Sequence, residues 1–263
     1  MSKRGPKVLF LDIETRPILA YVWAIWDQNV GLNQIKEDWS VISWAASWLG
    51  EEKVMQRDLR KTRRLDNDKH LLKPMWKLLD QADIIVTQNG KKFDAKKLNA
   101  RFIINGMKPP SSYRHIDICQ IAKSRFGFTS NKLEYLADKL CVTYKKLKHD
   151  KFPGFELWRE CIAGNQEAWK EMAKYNIYDV LVLKEVHSVM SPWDTSVNFN
   201  VYHNREDSVC QCGHPAFERR GYRYSNAGKY QAYRCKGCGA WYQSKVNLLP
   251  AIKRKEMLKG FSK

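Results

Sequence analysis

Val8-Leu9-Phe10-Leu11-Asp12-Ile13-Glu14-Thr15 is the stretch that decides the fold. Five of its first six residues are apolar, the near-continuous character of a strand buried on both faces in the middle of a sheet. Side chains alternate along a strand, so Asp12 and Glu14, two residues apart, present their carboxylates on one side where the strand ends. Two acids so placed can grip a cation. A lone Asp-x-Glu also describes an ordinary exposed strand end.

Working outward, Ser40–Leu49 and Lys53–Leu59 read as two strands of a hairpin around Gly50. Leu71–Leu79 has helical spacing, and Asp83–Thr87 is a second short buried strand. After Asn89 and Gly90 the pattern turns helical through Ile104 and stops before Gly106, Pro109 and Pro110. A short strand follows around Arg114–Ile118. Asn131 with Glu134 predicts a capped helix over Lys132–Leu140, and Asn165 opens a long helical stretch that reaches about Met190. This order predicts an α/β fold: a mixed five-stranded sheet flanked by helices, plus a small C-terminal module.

Two further acids stand at informative places. Asp94 sits four residues beyond Gly90, where a strand hands over to a helix and backbone amides favour an anion. Asp179 borders an apolar stripe that includes Ala168, Trp169, Met172, Val180, Leu183 and Val186. A charge there needs a partner or a metal. Tyr175 lies one helical turn before Asp179 on the same face, either as a core aromatic or as part of a site.

With these residues on the page, the chain resembles the DEDD superfamily of 3'-to-5' exonucleases, which share an RNase H-like fold. Asp12 and Glu14 match the first motif, Asp94 in Asn-Gly-Lys-Lys-Phe-Asp the second, and Tyr175 with Asp179 the third. Tyrosine four residues before the last acid, with Lys174 rather than histidine five before it, resembles the tyrosine (DnaQ-like) branch that includes exonuclease domains of B-family polymerases. The resemblance covers roughly residues 7 to 193.

It implies two Mg²⁺ or Mn²⁺ ions held by Asp12, Glu14, Asp94 and Asp179, and a water oriented by Tyr175. It also implies contacts from Asn89 and Phe93 to the 3'-terminal nucleotide, with core packing the other account of Phe93, and a supporting role for Asp117. DNA is the implied substrate, with preference for single-stranded 3' ends. A 3'-to-5' exoribonuclease, a structure-selective endonuclease and a non-catalytic nucleic-acid-binding protein are the alternatives. A replication or recombination protein is the partner implied, and a phage origin would place the chain in the host cytoplasm.

Composition points the same way. The 263 residues carry 46 Lys and Arg against 28 Asp and Glu, a net charge of +18, which favours a polyanionic partner. Residues 208–263 hold 12 basic residues and 2 acids, or +10. No apolar run approaches the roughly 20 residues that span a bilayer, and no signal-peptide core follows the N-terminus. A soluble cytoplasmic protein without membrane association is therefore expected.

Among seven cysteines, Cys119, Cys141 and Cys161 fall within helical patterns as small apolar residues. Cys210-Gln-Cys212-Gly-His214 and Cys235-Lys-Gly-Cys238-Gly form two pairs separated by 22 residues. Thiolates in this arrangement suit one tetrahedral structural Zn²⁺. The module resembles a zinc ribbon, although its first pair is one residue closer than usual, and His214 offers a nitrogen in place of Cys210 or Cys212. Arg220, Arg223, Tyr230, Arg234 and Trp241 alternate basic and aromatic character around it, as a surface that tracks phosphates and stacks bases would. The same pattern fits a ribbon with an aromatic core and solvated cations. The expected organisation is an exonuclease domain over 1–193, a linker over 194–207, the ribbon over 208–245 and a basic tail over 246–263. Between the first two strands, Tyr21, Trp23, Trp26 and Trp39 either stack on bases or form the core of a flap.

Overall fold

The computed structural model describes residues 5–62, 64–203 and 207–258. Residues 1–4 of the expected first domain, 204–206 of the expected linker and 259–263 of the expected tail lie outside the described residues. The chain divides into two compact units, Pro6–His187 and the segment from Ser188 onward.

In the larger unit the elements follow in the order β1 (Val8–Arg16), β2 (Leu19–Ala20), β3 (Ile35–Glu37), β4 (Ser40–Trp48), β5 (Met55–Asp58), α1 (Lys69–Gln81), β6 (Ile84–Thr87), α2 (Asp94–Ile104), β7 (Arg114–Asp117), α3 (Ile118–Arg125), α4 (Leu133–Leu140) and α5 (Glu156–Ile162). The helix α6 (Gln166–Met190) follows. Five strands form one sheet in the order β5-β4-β1-β6-β7. The strand β1 lies antiparallel to β4 and parallel to β6, and β6 is parallel to β7. This is the mixed, helix-flanked sheet that the sequence predicts.

Burial explains why β1 is central. Val8, Leu9, Phe10, Leu11 and Ile13 are each at most 3% exposed, so both faces of the strand are covered. Leu9, Leu11 and Ile13 face a core shared with Trp44, Leu72, Met75, Leu98 and Trp169. Roughly 1.5–3 kcal/mol per buried large apolar side chain makes this the dominant stabilising contribution. The Gly50 turn has φ +83°, a conformation glycine adopts without steric cost, and it closes the β4–β5 hairpin at the predicted place.

Three details differ from expectation. Asn131 does not cap α4: that helix starts at Leu133 with Lys132 at its N-cap and no side-chain cap bond. Asn131 Oδ1 is buried without a hydrogen-bond partner, and the backbone carbonyl of Asn131 accepts from Gln88 Nε2 at 2.7 Å. By contrast, Asn165 Oδ1 accepts from Glu167 N at 3.0 Å and so caps the long helix. The two-stranded ribbon β2–β3 is too short to give a periodic signal, and the apolar residues of its loop are on the surface. Trp23 is 96% and Trp26 81% exposed, which rules out a flap core.

The C-terminal unit contains a three-stranded sheet of β8 (Phe217–Ser225), β9 (Gly228–Cys235) and β10 (Trp241–Gln243), with β9 in the middle, followed by α7 (Ala251–Glu256). The stretch expected as a linker packs within this unit, with a 3-10 turn over Phe199–Tyr202 and Phe199 only 5% exposed. Lys253, Arg254 and Lys255 of the expected basic tail lie on α7. Among the described residues no helix is long and apolar enough to cross a membrane.

Candidate active site

The carboxyl ends of three parallel strands meet at one edge of the sheet, where ligands of open α/β sheets bind. Asp12 and Glu14 lie toward the end of β1, the turn after β6 leads into Asp94, and Asp117 ends β7. A bulge in the β1–β4 pairing falls between Glu14 and Thr15, a device that re-aims side chains beside functional sites.

The turn after β6 is over-determined. Asn89 holds φ +60°, unusual for a residue other than glycine. A Cβ at Gly90 would sit 2.2 Å from Thr87 Oγ1, so only glycine fits. Asp117 accepts from the backbone N–H groups of Asn89, Lys91 and Cys119 at 2.9, 3.1 and 3.0 Å, which makes it the anchor of this turn. Asp94 then opens α2 and accepts from Ile13 N at 3.1 Å. The N–H between Asp12 and Glu14 thus ties the second acidic motif to the first.

Candidate metal-ligand oxygens of Asp12, Glu14 and Asp179 all lie within 4.8 Å of one another. Asp179 is 4% exposed; its Oδ2 accepts from Lys146 Nζ at 2.5 Å, while its Oδ1 is buried without a hydrogen-bond partner. Asp94, 3% exposed, stands beside this group and interacts electrostatically with Asp12. Asp12 Oδ2 accepts from Asn176 Nδ2 at 2.7 Å, and Asn176 Oδ1 accepts from Ser43 Oγ at 2.9 Å.

So many acids in one dry place resist ionisation. Burial first, then Asp94, Asp179 and Glu14, raise the Asp12 carboxyl well above the usual range. Burial and Asp179 push Glu14 up to about 8, and burial pushes Asp94 up to about 7. Burial also raises Asp179, with Lys146 drawing it back. Hard carboxylate oxygens, mutual repulsion and the orphaned Asp179 Oδ1 are what a divalent cation would relieve, so the residues fit Mg²⁺ or Mn²⁺.

Tyr175 stands half-buried against His149 and Trp158, with ring centroids 5.2 and 6.2 Å away. Lys146 Nζ lies 4.3 Å from its ring centroid. Burial and then Asp179 raise the phenol further above its ordinary value, so it keeps its proton and serves as a donor. Phe93 is 38% exposed beside Asp94, so its ring is only partly covered. A cavity of about 500 Å³ extends from Asn89 and Lys146 to Lys123, Asn131 and Lys132.

Lys146 and Asn176 were not singled out by the sequence. Nothing distinguishes Lys146 from Lys145, Lys148 and Lys151 around it. Asn176 adjoins Tyr175 on the helix of Asp179, but its partner Asp12 lies 164 residues away.

In the C-terminal unit, the sulfurs of Cys210, Cys212, Cys235 and Cys238 cluster within 4.8 Å of one another. Cys210 and Cys238 Sγ are 3.4 Å apart, and Cys212 and Cys235 Sγ 3.8 Å. A Zn–S bond of about 2.3 Å in a tetrahedron places sulfurs roughly 3.8 Å apart, so the four thiols fit Zn²⁺. Gly213 at φ +84° and Gly239 at φ +77° turn the chain after each pair. His214 turns Nδ1 to the Ala216 N–H at 3.1 Å and is not part of the cluster. Tyr242 donates its hydroxyl to Cys210 Sγ at 3.1 Å.

Residues 9–191 match a family described as the RNase_H superfamily. The structure is similar to the family B DNA polymerase from the hyperthermophilic archaeon Pyrobaculum calidifontis, with a TM-score of 0.50 and 14% sequence identity over 74% of this chain. The likeness is one of fold, and the chain covers 26% of that polymerase. No curated protein matches the chain.

Proposed function

The chain belongs to the RNase H superfamily over residues 9–191, and on that premise we propose that it is a metal-dependent 3'-to-5' exonuclease acting on DNA. The observation that carries this reading is the convergence of Asp12, Glu14 and Asp179 oxygens within 4.8 Å, with Asp94 beside them. Asp12, Glu14 and Asp179 would hold one Mg²⁺ or Mn²⁺, and Asp12 with Asp94 a second. When bound, such ions neutralise the phosphate, acidify the attacking water and stabilise the departing oxygen.

The chain's own residues do the rest. Asn176 fixes the Asp12 carboxylate, and Lys146 holds one oxygen of Asp179 so that the other stays directed into the site. Tyr175, protonated and clamped between His149 and Trp158, donates to the attacking water and positions it without acting as the base. Asn89, Phe93 and the lysine-lined cavity beside them receive the 3' end of the strand. In the C-terminal unit a Zn²⁺ on Cys210, Cys212, Cys235 and Cys238 would brace a basic sheet that adds nucleic-acid affinity through Arg220, Arg223, Tyr230, Arg234 and Trp241.

Labelled DNA and RNA of one sequence, digested side by side with a circular single strand, test the substrate class. Shortening of linear DNA alone is expected. RNA trimmed as fast as DNA would make the protein an exoribonuclease, and a cut circle would make it an endonuclease.

A further inference from the structure

The C-terminal unit holds a cavity of about 830 Å³, bounded on one side by Pro192–Phe199 and on the other by the three-stranded sheet. Ligand pockets commonly fall between about 300 and 1,000 Å³. Its lining includes Trp241, Tyr222, Tyr224, Arg220 and Arg223. Trp241 is 57% exposed and Tyr224 67%, so large rings face solvent where a small sheet would ordinarily hide them.

Strand register explains why Arg223 and Trp241 gather. Arg223 lies opposite Tyr230, while Trp241 lies opposite Arg234. Residues 230 and 234 are four apart on β9 and therefore share a face, which puts both cation–aromatic pairs on one side of the sheet. Ala232, between them, is small and opens the floor of the cavity. The wall is tied to the cysteine cluster, because Gln211, between Cys210 and Cys212, donates to the Ser191 carbonyl. Asp194, an acid on that wall, is engaged by Ser196 N and Oγ at 2.8 Å each.

Building on the nuclease reading, we propose that this cavity is a second nucleic-acid site, selective for unpaired strands: a base stacks on Trp241 while neighbouring phosphates lie on Arg220 and Arg223. The charge of the segment decides the occupant. Residues 208–263 carry +10, which suits a polyanion. Aromatic rings set between the cations add contacts that only an exposed base face can use. A duplex, its bases stacked inward, could meet the arginines but not Trp241.

The test uses the full chain, loaded with zinc and without added Mg²⁺ or Mn²⁺, and reads binding by fluorescence anisotropy. The probes are a labelled oligothymidylate, an abasic strand of equal length and a duplex. Trp241→Ala should weaken binding to oligothymidylate roughly ten-fold, the scale of one stacked base, and leave the abasic strand and duplex unchanged. Trp241→Phe should restore most of the loss. Arg223→Gln should weaken all three probes and lower the salt slope by about one. The site is refuted if Trp241→Ala binds oligothymidylate like the parent, or loses equally on oligothymidylate and the abasic strand. Zinc content equal to that of the parent guards against a folding defect. Strand cleavage by the parent is scored separately: cleavage with no Trp241 effect sinks the cavity alone, whereas Trp241-dependent binding with no cleavage supports the cavity and sinks the nuclease reading.

Discussion

Lys146 Nζ lies 2.5 Å from Asp179 Oδ2. Burial opposes the lysine's charge, yet the attraction of Asp179 raises its pKa, so it remains a cation inside the site. It therefore fixes one carboxylate oxygen while the other has no partner. Lys146→Met should lower kcat about 10- to 100-fold, the usual cost of removing a group that orients a metal ligand. The Mg²⁺ concentration for half-maximal rate should not rise, because a competing positive charge is lost. Metal titration of the rate distinguishes this from simple loss of metal.

Asn176 is fully buried and bridges Ser43 to Asp12. Asn176→Ala leaves a buried hydroxyl and a carboxylate short of partners, which should cost about 1–3 kcal/mol of stability in urea unfolding. It should also raise the Mg²⁺ requirement, since Asp12 is no longer held. Unchanged stability and metal requirement would count against the bridge.

Acidity gives a signed expectation. Burial and neighbouring charge lift Glu14 from 4.5 to about 8, so without metal the folded protein keeps a proton that the unfolded chain releases. That contribution to stability is full below pH 4.5 and is lost as pH rises through about 8. Asp94, lifted to about 7, acts in the same direction. The melting temperature of the Mg²⁺-free protein should therefore fall across this window, and the increment from millimolar Mg²⁺ should grow with pH. Glu14→Gln should flatten both trends in calorimetry; an increment independent of pH would contradict the account.

Gly239 holds φ +77° after the second cysteine pair. Gly239→Ala should destabilise the zinc-loaded C-terminal unit by about 1 kcal/mol or more, because a Cβ is disfavoured there. Metal analysis should find about one zinc per parent chain. Cys238→Ser should lower that content, whereas His214→Ala should not, since His214 lies outside the sulfur cluster.

What the sequence made legible is what repeats or alternates. The apolar run of Val8–Ile13 fixed a central strand, the spacing of Asp12 and Glu14 one side of a site, and Gly50 a hairpin. Asn165 reads as a cap because its partners are two and three residues away. Lys146 and Asn176 act across 33 and 164 residues, so no local pattern marks them. Asn131 misled because the helix starts one residue later than the local signal implies, at Leu133 with Lys132 as N-cap, which leaves Asn131 Oδ1 buried without a partner. The aromatic loop after β2 carried no periodicity to say whether its rings would be inside or out.

The central claim is most directly met by 5'-labelled single-stranded DNA incubated with Mg²⁺ or Mn²⁺, comparing the parent with Asp12→Ala. A metal-dependent ladder that shortens from the 3' end, absent in Asp12→Ala, is the predicted result. No ladder from the parent with either metal, or an equal ladder from Asp12→Ala, would contradict the assignment of this carboxylate cluster as the active site.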